Sequence, residues 1–268
     1  MDIISHTLSG VAVGTVIASY GSAKLRNKIK TILIAGLGGV MPDLDAFSLW
    51  SKFDNTIGSF FDLAHSGSII YFGKFWYSHH AGFHSIFTAL LLPFLYLLIT
   101  SGWSIIFQRD FKLFLEIKNY KIHIIAFSLG FLLHLLEDLP TPSGVWGGVR
   151  LFFPNDIYIG GWGKIWWWNN YDIVLIISMI IITNIIIHII KKFKTTINDK
   201  LINMSIFVVF SFIILYQINT RGFDFNYKGH TTKYQKYEAQ SKLIQRKILG
   251  NRIYNIMEKI DNTIPLNF

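Results

Sequence analysis

Eight side chains in this 268-residue chain stand out as able to do chemistry together: His6, Asp43, Asp45, His79, His80, His84, His134 and Asp138. Imidazole and carboxylate are the usual nitrogen and oxygen ligands of Zn²⁺ and other divalent cations. His134 and Asp138 are four residues apart, so on a helix they share one face. His80 and His84 have the same spacing and would share a face if the helix there begins early enough. Asp43 and Asp45 flank Leu44 just after Pro42. A D-x-D pair on a tight turn can hold one metal or bridge two. The set suffices for two or three divalent ions, with zinc the expected metal. Two-metal sites polarise a phosphoryl or carbonyl oxygen and generate hydroxide near neutral pH. A carboxylate not fully engaged in coordination, Asp45 or Asp138, could act as general base. Taken singly, each motif is weak, and His6 alone would read as a polar cap at a membrane interface. Their convergence carries the argument.

That convergence depends on the elements that present them. Apolar residues make up 51% of the chain and charged residues 15%, against about 25% charged in a typical soluble domain. The mean hydropathy of +0.40 excludes disorder. Four stretches without Asp, Glu, Lys or Arg reach spanning length: 21 residues over Ile3–Ala23, 24 over Ser85–Gln108, 18 over Ile173–Ile190 and 20 over Leu201–Thr220. Two shorter ones, Thr31–Pro42 and Ile122–Leu136, become long enough when extended to Trp50 and Leu139; the alternative is that these two are re-entrant or buried. The expected fold is all-α, a polytopic membrane bundle of about six transmembrane helices with an amphipathic helical tail. Three regions follow: a four-helix metal-binding core over 1–155, an outer loop with two further spans over 156–220, and a basic tail over 221–268. Asp2 stands where a cleavable signal peptide would carry basic residues, so the first span reads as a retained helix.

Basic residues set the orientation. The loops after the first, third and fifth spans carry twelve Lys/Arg, including Arg109 and Lys112, and the two opposite loops carry four (Lys52, Lys74, Arg150, Lys164). This places both termini on the extracytoplasmic side of the cell membrane. His6, the Asp43–Asp45 pair, the His79–His84 segment and the His134–Asp138 pair then all fall at outer helix ends. His123 and His188 lie inside, with no carboxylate motif beside them in sequence. Seven of the eight tryptophans lie in or beside the outer loops, as interfacial anchors do. In the tail, Leu249, Ile253, Ile256 and Ile260 repeat at helical spacing, and nine Lys/Arg face four Asp/Glu over Arg221–Phe268. Such a helix could lie on lipid or cap the outer loops.

Four segments occur in order: Ile4-Ser5-His6; Met41-Pro42-Asp43-Leu44-Asp45; His79 to Ser85; and His134 to Val145, with Asp138, Thr141 and Gly144 within it. Together they resemble the YdjM-type family of bacterial inner-membrane proteins, described as predicted membrane-bound metal-dependent hydrolases. The resemblance covers residues 1 to about 155. It aligns His79 and His84 with the two histidines of the family's third motif, whose arginine is replaced here by His80, glycine by Ala81 and threonine by Phe83. The fourth motif is also similar to that of zinc-dependent bacterial phospholipases C, which implies a phosphoester or phospholipid-like substrate at the outer interface.

The absence of cysteine excludes disulfides, thiolate zinc sites and cysteine catalysis. No G-x-S-x-G or P-loop occurs. A transporter would need polar residues on both sides of the midplane, and here they are lopsided. Nucleic acid is not an expected partner, because the tail's basic residues come without a base-stacking motif. The alternative to a hydrolase is a non-enzymatic membrane protein braced by a structural metal site.

Overall fold

The computed structural model describes residues 1–22, 24–108, 113–194, 196–230 and 235–263. Arg109 and Lys112, counted above among the basic-loop residues, lie outside them, as do the residues after Thr263. The architecture is all-helical, with no named strand among the described residues and only two isolated bridges, Pro142–Trp162 and Val149–Ile159. The α-helices among the described residues are α1 (Ile3–Tyr20), α2 (Leu25–Val40), α3 (Gly67–Phe72), α4 (Ile86–Gln108), α5 (Leu113–Asp138), α6 (Tyr171–Phe193), α7 (Asp199–Thr220) and α8 (Gln235–Thr263).

Among the described residues, five helical segments are long and apolar enough to cross a membrane, namely α1, Leu25–Leu49, Ile117–Asp138, α6 and α7. The remaining expected span is α4, which has a described apolar stretch over Ile86–Ile99. The chain is therefore a multi-pass helical bundle suited to a lipid bilayer. Its second span owes its length to a 3-10 segment, Met41–Leu49, that continues α2 with Pro42 at the junction.

The core around α1, α2 and α5 is built by close approach. A Cβ at Gly10 or Gly130 would strike the main chain of α2; one at Gly38 would strike α5, and one at Gly39 would strike α1. In lipid there is little hydrophobic drive between helices, so small residues that let backbones meet are the means of association. Val13, Ile17, Ala35 and Ala126 complete this seam with exposures of at most 8%. On the other side of α1, Ile173, Ile177 and Ile180 of α6 and Ile218 of α7 pack against Ala12 and Met1.

Two local expectations need correction. His80 and His84 do not share a helical face, because α4 starts only at Ile86 and the preceding histidines lie in irregular turns. Of the tryptophans read as interfacial anchors, Trp146, Trp166 and Trp167 are buried at 1%, 0% and 6%. They form an aromatic core with Phe225, Tyr71, Phe72 and Tyr227. Trp50, Trp76 and Trp162 remain exposed.

Candidate metal centre

The ligand-type residues come from four helix ends on one side of the bundle. α1 brings His6 in its first turn, the 3-10 continuation of α2 brings Asp43 and Asp45, the turns before α4 bring His79, His80 and His84, and the last turns of α5 bring His134 and Asp138. Four overlapping groups have ligand atoms within 4.8 Å of one another: His79, His80 and His84; His6, Asp43 and His134; His84, His134 and Asp138; and Asp43, Asp45 and His79. All eight residues singled out in the sequence are thus in one cluster, and any of these groups could hold a metal ion.

The glycine seam explains the proximity of the helical ligands. Gly39 lies against the His6 main chain, and its carbonyl accepts a hydrogen bond from His134 Nδ1 at 2.7 Å. A carbonyl can only accept, so this bond fixes the proton on Nδ1 and leaves the Nε2 lone pair free. His6 is held in the same manner, its Nδ1 2.8 Å from Glu137 Oε2, and its ring stacks on His134 with centroids 3.7 Å apart. His80 Nδ1 meets the Gly148 carbonyl at 3.1 Å. In all three rings Nδ1 is tied outward and Nε2 is turned inward: His6 Nε2 is 3.2 Å from Asp138 Oδ1, His134 Nε2 is 3.1 Å from Asp138 Oδ2 and 3.5 Å from Asp43 Oδ1, and His80 Nε2 is 3.7 Å from Asp138 Oδ2. Tying one ring nitrogen to an oxygen so that the other faces inward is the arrangement that orients metal-binding histidines.

The inward atoms are short of partners. His6 Nε2, His84 Nε2, His134 Nε2, Asp45 Oδ2 and Asp138 Oδ2 are buried without a hydrogen bond among the described residues. The His134–Asp138 approach is close in distance but lacks hydrogen-bond alignment. Buried polar atoms left unpaired are costly; a bound cation could satisfy the Nε2 lone pairs of His6 and His134 and the two carboxylate oxygens, whereas His84 Nε2 carries the proton of a neutral ring whose Nδ1 accepts the His80 N–H. The donor set of imidazole nitrogens and carboxylate oxygens fits a divalent ion, zinc included.

The loop histidines are positioned by backbone. His80 takes a left-handed conformation (φ 61°), a strain of about 1–3 kcal/mol for a non-glycine residue. Its carbonyl is held by Arg150 N at 2.8 Å, and its N–H is directed at His84 Nδ1 at 3.3 Å. Burial holds the His80 and His84 imidazoles below their ordinary range, with the charge of His79 adding to the effect. At His79 burial is the largest influence and pulls downward, but the Asp45 carboxylate, 2.9 Å from Nδ1, together with Asp43 and Asp138 makes the net shift upward.

Four contributors carry no signal of this role in the sequence. Glu137 reads there only as the charge that ends a span, yet it sets the His6 ring. Tyr71 stacks on His79 with centroids 4.4 Å apart, and burial together with Asp45, Asp43 and Asp138 pushes its phenol well above the ordinary range. Trp146 covers His79 and His80 with centroids 4.8 and 4.7 Å away and is itself fixed by donating to the Tyr71 carbonyl. The Met1 amine lies 2.5 Å from Asp138 Oδ1. None of these could be found by ligand type and spacing.

The family model of the YdjM inner membrane protein matches residues 1–222. The chain belongs to that family. The match includes α6 and α7 and so extends well past residue 155, where the motif resemblance ends. No curated protein and no solved structure matches the chain.

Proposed function

We propose that this member of the YdjM inner membrane protein family is a metal-dependent hydrolase that acts on a phosphoester or phospholipid-like substrate at the outer membrane interface. The observation that carries the reading is the set of buried, inward-facing Nε2 and carboxylate atoms without hydrogen-bond partners. His6, Asp43, His84, His134 and Asp138 would hold one or two ions, and His79, His80 and Asp45 would complete a second position, with zinc the preferred metal. A divalent cation supplies Lewis acidity toward a phosphoryl oxygen and makes water a stronger acid. The protein supplies the rest. Glu137, Gly39 and Gly148 orient the imidazoles; Tyr71 and Trp146 wall off one side. Asp45 keeps one oxygen on His79 and the other free, which suits a general base, and Asp138 is the second carboxylate able to take a proton.

The side chains of Asp43 and Asp45 retain 13% and 14% exposure, and Glu137 19%, so substrate would approach along this carboxylate edge. The outer location follows from the basic loops at the opposite end of the bundle and is part of the proposal. A headgroup-level site favours a lipid or lipid-linked phosphoester over a cytosolic metabolite.

A second reading is a closed structural site that braces the helix ends. Its support is the near-complete burial of His6, His84 and His134, at 1%, 0% and 0%. The experiment is to purify the protein in detergent, measure bound metal, and assay phosphodiester and phospholipid hydrolysis before and after chelation and reloading. Stoichiometric metal with metal-dependent turnover is the expected result. Stoichiometric metal without turnover selects the structural reading. No bound metal, with His134→Ala behaving as wild type, rejects both.

A further inference from the structure

α8 lies outside the residues matched by the family model, yet it is fastened to the family core, by Tyr237 and Ile244 in the aromatic cluster around Trp166 and, further along, at the first turn of α6. Gln245 and Asp172 exchange two hydrogen bonds, Gln245 Nε2 donating to Asp172 Oδ1 at 2.9 Å and Asp172 N donating to Gln245 Oε1 at 3.1 Å. Tyr171 donates its hydroxyl proton to Asp261 Oδ2 at 2.7 Å, and its ring lies 5.8 Å from that of Tyr254. These contacts are with the first two residues of α6, where the apolar span gives way to the loop layer. α8 therefore runs across a helix end at the level of the membrane boundary. Gly250 breaks the helix with φ 70°, which lets the part after it take its own direction.

At 3.6 residues per turn, residues 251–263 divide into three strips. Tyr254 and Asp261 face α6, Tyr254 at 1% exposure. Asn251, Arg252, Asn255 and Lys259 form an exposed polar strip. Between the two, next to the protein-facing strip, Ile253, Ile256 and Ile260 are left 45%, 53% and 50% exposed. Of the apolar face expected from the sequence, Ile253, Ile256 and Ile260 stay together while Leu249 lies before the break at Gly250, and the strip they form is not the face that packs on the protein.

We infer that the part of α8 after Gly250 is an interfacial helix whose occupant is the phospholipid surface around the outer end of α6. Its Ile253, Ile256 and Ile260 strip enters the acyl boundary, and Arg252 and Lys259 reach anionic headgroups. Three facts select lipid as the occupant. The helix is pinned where a membrane span ends, its uncovered apolar strip adjoins the side facing that span, and two bases flank the strip on the water side. The inference requires only that the chain spans a bilayer and is independent of the hydrolase reading.

The absence of cysteine permits a direct test. Single-cysteine proteins Ile253→Cys, Ile256→Cys and Asn255→Cys are labelled with a small fluorophore in proteoliposomes containing phosphatidylethanolamine and phosphatidylglycerol. The expected result is strong quenching by headgroup-proximal spin-labelled lipid at positions 253 and 256. Iodide quenching there should be at least threefold weaker than at 255. Equal iodide access at the three positions overturns the inference. So does disulfide cross-linking between two copies of the Ile256→Cys protein without lipid quenching. Metal content is measured on the same samples; its loss would reject the hydrolase reading without touching this one.

Discussion

Asp138 and Asp172 are both buried carboxylates at the same end of the bundle, 3% and 4% exposed, and their surroundings are opposites. Asp172 is saturated. Its two oxygens accept from Arg221 at 2.5 Å each, from Gln217 and Gln245 at 2.9 Å, and from the Ile173 N–H at 2.9 Å. Asp138 accepts from the Met1 amine on Oδ1, while its Oδ2 has no hydrogen bond and faces His134 Nε2. With the His134 proton on Nδ1, the Nε2 of a neutral ring presents a lone pair toward a carboxylate lone pair, an arrangement that a bound cation would make favourable. A carboxylate ringed by donors is a clamp. One whose second oxygen faces an imidazole lone pair could take a cation. The two acids therefore differ in whether both oxygens have donors, not in the degree of burial.

The strongest way to break this comparison is to remove one member of each set. His134→Ala or Asp138→Asn should abolish stoichiometric metal in the purified protein, measured by elemental analysis, whereas Asp172→Asn should retain it. Equal loss in both would mean that the two carboxylates do not differ in kind.

The next effect is on stability and runs the other way. Asp172→Ala leaves the Arg221 guanidinium, 3% exposed, without its counter-charge. Breaking a buried pair in this manner costs about 3–5 kcal/mol. The expected reading is a marked fall in thermal unfolding temperature with metal content unchanged, and release of α8 detected as faster proteolysis after Arg246. An unshifted transition would show that the Asp172 cluster is not a clamp.

Chelation separates the two sets in the wild-type protein. If free metal stands at about 100 times its dissociation constant, binding contributes about 2.7 kcal/mol. Its removal should lower the unfolding temperature of wild type and of Asp172→Asn, and leave His134→Ala unaffected. A chelator-induced shift in His134→Ala would place the metal elsewhere.

How much of this was legible in the sequence follows from the kind of signal each part sends. The helices were readable because a span announces itself by composition over some twenty residues, and the clustered His and Asp side chains because such groups are expensive near hydrocarbon. The spacing of His80 and His84 misled, since four residues is helical spacing only inside a helix, and α4 begins at Ile86. The clamp around Asp172 was hidden because Arg221 and Gln245 are distant in sequence and carry no motif. His188 shows the same thing at the other end of the bundle. No carboxylate stands near it in sequence, yet Asp199 of α7 lies 3.8 Å away and Lys28 of α2 3.0 Å away. The tail's apolar periodicity was legible, but which neighbour it would meet was not, because periodicity defines a face and not its partner.

The smallest effect tests the outer ring of the site. Glu137 is not among the ligand groups, and its contribution is to hold His6 Nδ1 at 2.8 Å. Loss of such an orienting partner typically weakens metal affinity by about 10–100-fold. Glu137→Ala should fall within that range by competition titration against a chromophoric chelator. Glu137→Gln should lose less, because its amide oxygen can still accept the Nδ1 proton while the charge is gone. The ordering wild type, Gln, Ala would assign the role of Glu137 to ring orientation as well as to charge. Equal loss in both variants would assign it to charge alone, and the inward turn of His6 would then rest on its stacking against His134 and on the Gly39 contact beneath it.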